Sequence, residues 1–230
     1  MEKPAGILAG NQLKCIAVTA MFLDHLGILI FPHIRLFRII GRLAYPIFAY
    51  MIAEGCQCTR NKLRYFLTVF IVGAGCQLVY YFFSGDTYLN ILLTFSASIL
   101  LTYAMQASYE ADTPGKRAMW SVVFAAGILA AIGLDMTLTI DYGFWGIMIP
   151  VLVSFARLHK FPRWAELLLL GMGLVLLGSV YDGVQHCALL SLPLILCYSG
   201  KRGKRKMKYF FYIFYPLHLA LLQGIAMLVR

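Results

Sequence analysis

The chain has 230 residues and a formal net charge of +10, and 61% of its residues are hydrophobic while only 13% are charged. A typical globular protein has about 25% charged residues, and a domain of this length exposes a large surface, so the composition effectively excludes a water-soluble fold. The aromatic content excludes a disordered chain, and the basic residues are confined to short segments between apolar runs, which indicates membrane topology rather than nucleic-acid binding.

Apolar stretches that are long enough to cross a bilayer follow one another along the chain. A transmembrane helix needs about 17 to 25 predominantly apolar residues, and helices are expected because the alternating pattern of a lipid-facing barrel is absent. The predicted spans cover residues 13–31, 36–55, 63–84, 88–108, 117–134, 142–158, 164–181, 184–199 and 208–229. The sixth to eighth are short enough to be re-entrant. The sequence therefore predicts an all-α, polytopic transmembrane helix bundle of about nine spans, forming one membrane domain over residues 1–230.

The distribution of Lys and Arg predicts the orientation of these spans. With nine spans, two basic residues, Arg35 and Arg230, fall on the side opposite to the N-terminus. The basic residues on the N-terminal side are Lys3, Arg60, Lys62, Arg64, Lys116, Arg117, Arg157, Lys160, Arg163, Lys201, Arg202, Lys204, Arg205, Lys206 and Lys208. Because cytoplasmic loops carry the excess of basic residues, the N-terminus is predicted to be cytoplasmic. The loop over residues 199–208 is expected to be solvated and to favour anionic lipid headgroups.

The first predicted span carries ionisable residues at membrane depth, where a charge costs at least about 2.5–3.5 kcal/mol and indicates a partner or a function. Lys14 and His25 are eleven residues apart, which is about 16 Å along a helix and returns to within about 20° of the same face. This stripe predicts a ligand that enters from the cytosol and has its reactive end near His25. Asp24 points about 100° away from His25, so it is predicted to be a poor orienter of that imidazole.

The second predicted span has its own polar stripe, formed by Arg38, Arg42 and Tyr45. Pro46 predicts a kink near Arg42, and kinks at membrane depth often line a cavity. Two interpretations of the arginines stay open. In one, Asp24 neutralises an arginine as a buried structural pair; in the other, an arginine binds an anionic ligand or a developing oxyanion. Even with such a pair, one arginine has no evident acid.

Further polar residues at membrane depth also have two interpretations. His218, on the last span, is either a satisfied interhelical hydrogen-bonding group or a site residue at a depth close to that of His25. Asn90, Asp141 and Gln77 lie toward the outer ends of their spans, where they are either helix-packing groups or the walls of an acceptor pocket.

Cysteine and glycine patterns give no sign of a metal or nucleotide site. Cys56 and Cys58 are one residue apart without a matching set of Cys or His residues. The sequence has no GxxxxGK phosphate loop, no G-x-S-x-G elbow and no dinucleotide fingerprint. We therefore predict no metal site and no permanently bound cofactor.

Most of the chain resembles the TraX family, which is named for F-pilin acetylation. The similar segments are LKCIA at 13–17, MFLDHLG at 21–27, IGRLAYPIF at 40–48, AEG at 53–55, TRN at 59–61, LNIL at 89–92, DYG at 141–143 and FYIFYPLHL at 211–219. Several motifs in the same order are more specific than any one motif alone. The region around 160–200 is similar only in hydropathy.

The resemblance implies a multi-pass acyltransferase of the bacterial inner membrane that uses acetyl-CoA as its acyl donor. The acceptor would be an amine or hydroxyl of a pilin-like peptide, a glycan or a lipid at the outer half of the membrane. The chain is also distantly similar to the acyltransferase 3 group of membrane-bound acyltransferases, in which a basic residue, ten intervening residues and a histidine mark the first helix. Lys14 and His25 fit this spacing, with lysine where that group usually has arginine.

Site roles follow from the resemblance. His25 is the predicted general base, with a covalent acetyl-imidazole as a less favoured variant. Arg42, or Arg38 with Tyr45, is predicted to stabilise the oxyanion, and Asp24 to hold an arginine in place. The predicted acetyl-CoA-binding residues are Lys14, Arg38, Arg60, Lys62 and Arg64. The predicted acceptor-binding residues are Tyr45, Asn90, Asp141 and His218.

A transporter without acyl transfer is the alternative function. In a proton-coupled permease or channel, Asp24, His25, Arg38 and His218 would form a proton or anion pathway, because such residues build proton relays. The missing internal repeat and the absence of paired broken helices in two halves count against this alternative.

Overall fold

A computed structural model describes residues 6–85, 87–181, 183–203 and 207–229 of the protein. The regular structure of these residues is helical, and their extended segments pair only as isolated bridges. The α-helices are α1 (Gly10–Leu29), α2 (Arg35–Gly41), α3 (Ala44–Cys58), α4 (Lys62–Ser84), α5 (Ile91–Tyr109), α6 (Pro114–Thr137), α7 (Gly143–Leu158), α8 (Arg163–Val180), α9 (Ser191–Leu196) and α10 (Lys208–Val229). A 3₁₀ helix, Gly183–Leu190, directly precedes α9.

Every predicted span corresponds to a helical segment, which confirms the all-α, polytopic fold. Among the described residues, seven helical segments are long and apolar enough to cross a membrane, with α2 and α3 counted together as one segment of 24 residues. The remaining two, α7 and the segment Gly183–Leu196, are shorter apolar helices. They correspond to the sixth and eighth predicted spans, whose short apolar runs explain their length. The orientation of the spans stays a prediction, and Lys3, Lys204, Arg205, Lys206 and Arg230 lie outside the described residues.

The second predicted span is interrupted. Helix α2 ends at Gly41 and α3 begins at Ala44, so the helix breaks at Arg42 and Leu43. Pro46 clashes with a helical carbonyl four residues earlier, which belongs to Arg42, whereas its missing N–H is harmless in the first turn of α3. The predicted kink is therefore a full break of the helix.

Polar caps and a glycine set the ends of other helices. The Asn61 side chain accepts a hydrogen bond from the backbone N–H of Arg64 at 2.8 Å, which starts α4. Thr113 caps α6 in the same way, followed by Pro114 in the first turn. Gly85 ends α4 with a φ of 69°, a left-handed conformation that favours glycine.

The chain folds as two compact units, which are described separately. The first unit comprises the described residues of segments 1–51 and 174–230. Within it, α1 packs against α2 and α10, and α2 packs against the 3₁₀ helix. Its interior contains the fully buried side chains of Leu13, Ile47, Leu177 and Ile195.

The second unit comprises the described residues of segment 52–173. Helix α5 packs there against α4, α6 and α7. Its apolar core is the cluster of Leu101, Met105, Ala131, Ile147 and Val151. Only 6% of the most apolar stretch of α6 is buried within the protein, so most of the surface of this helix is available to lipid. The single membrane domain inferred from hydropathy stays a prediction.

Candidate functional site

A buried carboxylate on α1 of the first unit binds both arginines of the second stripe. Asp24 is 8% exposed. Its Oδ1 atom accepts a hydrogen bond from Nη1 of Arg38 at 2.9 Å. Nη2 of Arg42 donates to Oδ1 at 2.7 Å and to Oδ2 at 2.6 Å. Both interpretations of the arginines thus meet here: Asp24 is paired, and among the described residues of this cluster two guanidinium groups and one carboxylate sum to one positive charge.

Gly41 lets α1 and α2 approach closely enough for these bonds to form. A Cβ atom at Gly41 would overlap the Asp24 carboxylate. The helix break after Gly41 then places the Arg42 side chain on the same carboxylate as Arg38, one helical turn away.

Gln185, in the 3₁₀ helix, was not singled out from the sequence. Its Oε1 atom accepts a hydrogen bond from Nη1 of Arg42 at 2.9 Å. Since an arginine only donates, the amide oxygen must face it, and this fixes the orientation of the amide. The side chain is buried, and its Nε2 atom has no hydrogen-bond partner among the described residues. A buried amide donor beside an arginine is therefore available to an oxygen of a ligand or a water. The only sequence signal was a polar residue within a short apolar span.

His25 is in direct contact with His218 on α10. The two rings meet edge to face with centroids 5.0 Å apart, and Nε2 of His218 lies 3.3 Å from Nδ1 of His25. His218 is 2% exposed and stacks on the Phe214 ring. The structure thus brings together the two histidines that the sequence placed at similar depth.

Backbone carbonyls assign the tautomers of both rings. Nδ1 of His25 lies 2.8 Å from the Met21 carbonyl, and Nδ1 of His218 lies 2.8 Å from the Phe214 carbonyl. Because a carbonyl only accepts, both Nδ1 atoms carry the proton in the neutral rings. The single Nδ1–H group of His25 is then shared between the Met21 carbonyl at 2.8 Å and the lone pair of His218 Nε2 at 3.3 Å. All hydrogen bonds from His25 to described residues involve Nδ1, so its Nε2 atom keeps a lone pair with which to accept a proton.

The histidine pair and the Asp24 cluster belong to the same region of the first unit. Asp24, which binds Arg38 and Arg42, and His25, which contacts His218, are consecutive residues of α1. As the helical geometry predicts, Asp24 makes no hydrogen bond to His25; His218 occupies that position instead. Chemically, the region combines a proton acceptor with two guanidinium groups.

Other predicted site residues of the first unit lie on α1, α2 and α3. Nζ of Lys14 lies 5.7 Å from the centre of the Phe211 ring, which connects α1 with α10 about three turns before His25. Tyr45 is buried at the start of α3. Arg38, predicted to bind acetyl-CoA, keeps 34% of its side chain exposed while it binds Asp24.

The remaining predicted residues belong to the second unit. Arg60, Lys62 and Arg64 are exposed around the start of α4, and Lys62 approaches Glu110 at 3.7 Å. Asn90 caps α5 and donates to the Gly73 carbonyl at 2.9 Å. The three basic residues make the start of α4 positively charged, whereas Asn90 forms a packing contact between α5 and α4.

Gln77, Asn90 and Asp141 form hydrogen bonds within the second unit. Gln77 accepts from the backbone and the side chain of Asn90, each at 3.0 Å, and Asp141 accepts from the Tyr88 hydroxyl at 2.8 Å. The packing interpretation of these residues is thereby observed, while the acceptor interpretation stays a prediction.

One buried ion cluster of the second unit was missed, and the placement of Arg157 in a loop was wrong. Arg157 lies near the end of α7 and is 7% exposed. Its Nη1 atom donates to Glu54 at 2.6 Å, and its Nε atom donates to Glu166. Its position at the end of an apolar run resembled a loop residue, but two glutamates far apart in the sequence allow its burial.

Comparison with known proteins identifies the family. The family model described as TraX protein matches residues 9–226. The chain belongs to the TraX family. This confirms the resemblance, whereas the similarity to the acyltransferase 3 group stays a prediction.

Two relatives of this TraX-family chain differ greatly in coverage. The probable fimbrial assembly protein FimC, serogroup H1, of Dichelobacter nodosus is 29% identical over 248 aligned residues, which cover 95% of this chain and 96% of that protein. An uncharacterized protein of Rickettsia prowazekii (strain Madrid E) is 47% identical over 40 residues, 17% of this chain and 16% of its own length. No solved structure matches the chain.

Proposed function

We propose that the protein is an integral membrane acyltransferase of the bacterial inner membrane that transfers the acetyl group of cytosolic acetyl-CoA to an amine or hydroxyl acceptor. The observation that carries the proposal is the His25–His218 pair beside the cluster of Asp24, Arg38 and Arg42. A base with an available lone pair and a cationic group are the two elements that acyl transfer to a neutral nucleophile requires.

In the proposed reaction, His25 acts as general base. Its Nε2 atom removes the proton of the acceptor amine or hydroxyl as that nucleophile attacks the thioester carbonyl. The tetrahedral intermediate then expels the CoA thiolate, the acceptor keeps the acetyl group, and the proton on His25 passes to the thiolate. An imidazole with a near-neutral pKa in water is suited to both steps.

His218 acts in this proposal as a positioning residue. Its neutral Nε2 atom accepts the Nδ1–H of His25, which keeps the ring oriented and favours the imidazolium formed during the reaction. A hydrogen bond to a charged group contributes about 1.5–3 kcal/mol, more than a bond between neutral groups. Binding of the acceptor by His218, which the sequence predicts, remains a secondary proposal.

The Asp24 cluster would stabilise the oxyanion of the intermediate. Arg42 and the exposed part of Arg38 supply positive charge, and the Nε2 group of Gln185 supplies a neutral donor beside Arg42. Asp24 fixes both guanidinium groups, so that they need little reorganisation when the charge develops. A charged donor in a site of low dielectric acts more strongly than it does in water.

Substrate recognition involves the remaining predicted residues. In the first unit, Lys14 would bind a phosphate of CoA and Tyr45 would contact the acceptor. In the second unit, Arg60, Lys62 and Arg64 keep their predicted role toward CoA phosphates, and Asn90 and Asp141 their predicted role toward the acceptor. The name of the Dichelobacter nodosus relative refers to fimbrial assembly, which supports a fimbrial or pilin-like peptide as acceptor over a glycan or lipid.

Proteoliposomes test this function against transport. They are supplied with acetyl-labelled acetyl-CoA and with membrane extract as the source of acceptor, and acetylated product and released CoA thiol are measured. We expect covalently labelled product with one thiol released for each acetyl group transferred. Proton or anion flux that does not depend on acetyl-CoA, without labelled product, would favour a transporter instead.

A further inference from the structure

A groove lies in the second unit at the ends of α5, α6 and α7. We name it the Arg117 groove after the residue at its mouth; the other residues that define it are Ser108, Tyr109, Ser121, Phe124 and His159. Its volume is about 630 Å³, within the range of about 300–1,000 Å³ that is typical of ligand sites. None of these residues takes part in the proposed acyl transfer.

The groove has a polar end and an apolar end. Arg117, Tyr109 and His159 are exposed and lie at helix ends. Phe124 lies seven residues beyond Arg117 on α6, about 10 Å deeper along the helix. Together with Met105 it belongs to the apolar core region of the second unit. A molecule that fills the groove must therefore carry a polar group and an apolar chain.

Polar groups at the mouth favour an anion. Arg117 carries the charge there, and its Nη2 atom makes only a long contact, 3.4 Å, to the Ala111 carbonyl. The His159 ring also lines the mouth, and its Nδ1 atom lies 3.0 Å from the Phe155 carbonyl. The Ser108 hydroxyl donates to the Arg117 carbonyl at 3.3 Å and lies 2.8 Å from the Ser121 hydroxyl, so both hydroxyl groups add to the polar character of the groove.

Nearby acidic side chains bind other cations. Asp112 binds the ammonium group of Lys116 at 3.0 Å, and Glu110 approaches Lys62 at 3.7 Å. The positive charge of Arg117 is therefore not cancelled by an ion pair with either carboxylate.

The apolar end distinguishes a lipid from a soluble anion. Helix α6 forms one side of the groove, and its outer surface exposes Val122 by 68% and Leu129 by 70%. An acyl chain that leaves the groove would continue along this apolar surface into the bilayer. Both connections at the mouth, α5 to α6 and α7 to α8, belong to the side predicted to be cytoplasmic, and basic pockets between transmembrane helices on that side bind anionic headgroups.

We propose that the Arg117 groove binds an anionic glycerophospholipid, with its phosphate at Arg117 and the start of an acyl chain against Phe124. The site fixes one lipid of the cytoplasmic leaflet at the ends of three helices of the second unit. It differs from the general lipid layer around the protein, because binding depends on both the charge and the shape of the groove.

Lipid retention in nanodiscs tests the charge requirement. The protein is placed in nanodiscs of phosphatidylglycerol and phosphatidylcholine with identical acyl chains, released, and examined by native mass spectrometry. We expect one retained phosphatidylglycerol, about fivefold less of it in Arg117→Gln, and no change in Arg35→Gln, which makes the same substitution at an exposed arginine that does not line the groove. Equal retention of both lipids by the wild type, or equal loss in both variants, would overturn the proposal.

A second pair of variants tests the shape requirement. Ser121→Trp fills the groove, whereas Val122→Trp adds the same side chain to the exposed surface of α6. We expect loss of the retained phosphatidylglycerol only in Ser121→Trp, with helical circular dichroism unchanged in both variants. Retention in Ser121→Trp, or displacement of the lipid by inorganic phosphate alone, would overturn the lipid assignment. If Arg117→Gln does not fold, the proposal is tested by the lipid preference of the wild type and by the comparison of Ser121→Trp with Val122→Trp.

Discussion

Nε2 of His218 lies 3.3 Å from Nδ1 of His25, although the two histidines are 193 residues apart in the chain. Each Nδ1 atom lies close to a carbonyl of its own helix, so the hydrogen bond between the two rings runs from His25 to His218. His218 accepts, and His25 keeps a lone pair on Nε2. The contact resembles the relation between a catalytic base and the group that orients it, with a neutral imidazole in the orienting position.

Substitution of His218 separates its positioning role from a purely structural one. Leucine removes the acceptor, while glutamine can place an amide oxygen near the former Nε2 position. We expect His218→Leu to lower kcat about 10- to 100-fold with KM for acetyl-CoA unchanged, and His218→Gln to recover part of the loss. Steady-state kinetics of both variants measure this. An equal decrease in kcat in His218→Leu and His218→Gln, or a change in KM alone, would contradict a positioning role.

The close approach at Gly41 predicts sensitivity to a single methyl group. A Cβ atom there would overlap the Asp24 carboxylate, whereas a Cβ atom at Gly133 on α6 meets nothing within 4 Å. We therefore expect Gly41→Ala to lower the thermal unfolding midpoint and the rate of acetyl transfer. Gly133→Ala should leave the rate unchanged and raise the stability slightly, because alanine favours a helix by about 1 kcal/mol over glycine. A Gly41→Ala protein with wild-type stability would show that the two helices are not tightly packed there.

Gln185 is expected to contribute to the reaction rather than to folding. Gln185→Glu keeps an acceptor for Arg42 but loses the Nε2 donor and adds a negative charge beside Arg42. The expected result is a decrease in kcat of about 100-fold, the effect of removing one donor from an oxyanion site, with little change in stability. Gln57→Glu, at an exposed position of α3, serves as the control with the same chemical change. Similar kcat values for the two variants would exclude Gln185 from the site.

The Arg157 cluster predicts a stability effect in the second unit. Arg157→Gln leaves Glu54 and Glu166 without their shared cation, and breaking a buried ion pair in this way costs about 3–5 kcal/mol. We expect a clear decrease in the unfolding midpoint, partly restored when Glu166→Gln is added. Arg35→Gln, an exposed control, should have almost no effect. If the double variant has the same unfolding midpoint as Arg157→Gln alone, the charges of Arg157 and Glu166 are not coupled.

Local patterns were sufficient to predict the helices and a kink near Arg42, at which the structure has a break between Gly41 and Ala44. Apolar length specifies a span because the bilayer requires every backbone amide to be paired within its own helix. Pro46 specifies the break because its ring clashes with the preceding turn, whatever the rest of the fold does. The pairing of Asp24 with an arginine was also predictable, since an uncompensated charge at membrane depth is costly.

Contacts between distant segments could not be read from the same patterns. Helical periodicity places His25 and His218 on faces of their own helices but does not say which faces meet. Gln185 lies in a short apolar segment, and a single polar residue in such a segment does not indicate a functional site. Arg157 resembled a loop residue because its two acids, Glu54 and Glu166, approach it only in the folded unit.

The rate of acetyl transfer by a His25 variant tests the proposed mechanism most directly. His25→Gln and His33→Gln are compared with the wild type in proteoliposomes with labelled acetyl-CoA; His33 is an exposed histidine between α1 and α2 and provides the matched control. If His25 is the general base, its variant transfers acetyl groups about 10²- to 10⁴-fold more slowly while binding acetyl-CoA as before. The His33 variant then matches the wild type. Equal transfer by His25→Gln and wild type would contradict a catalytic role for this imidazole.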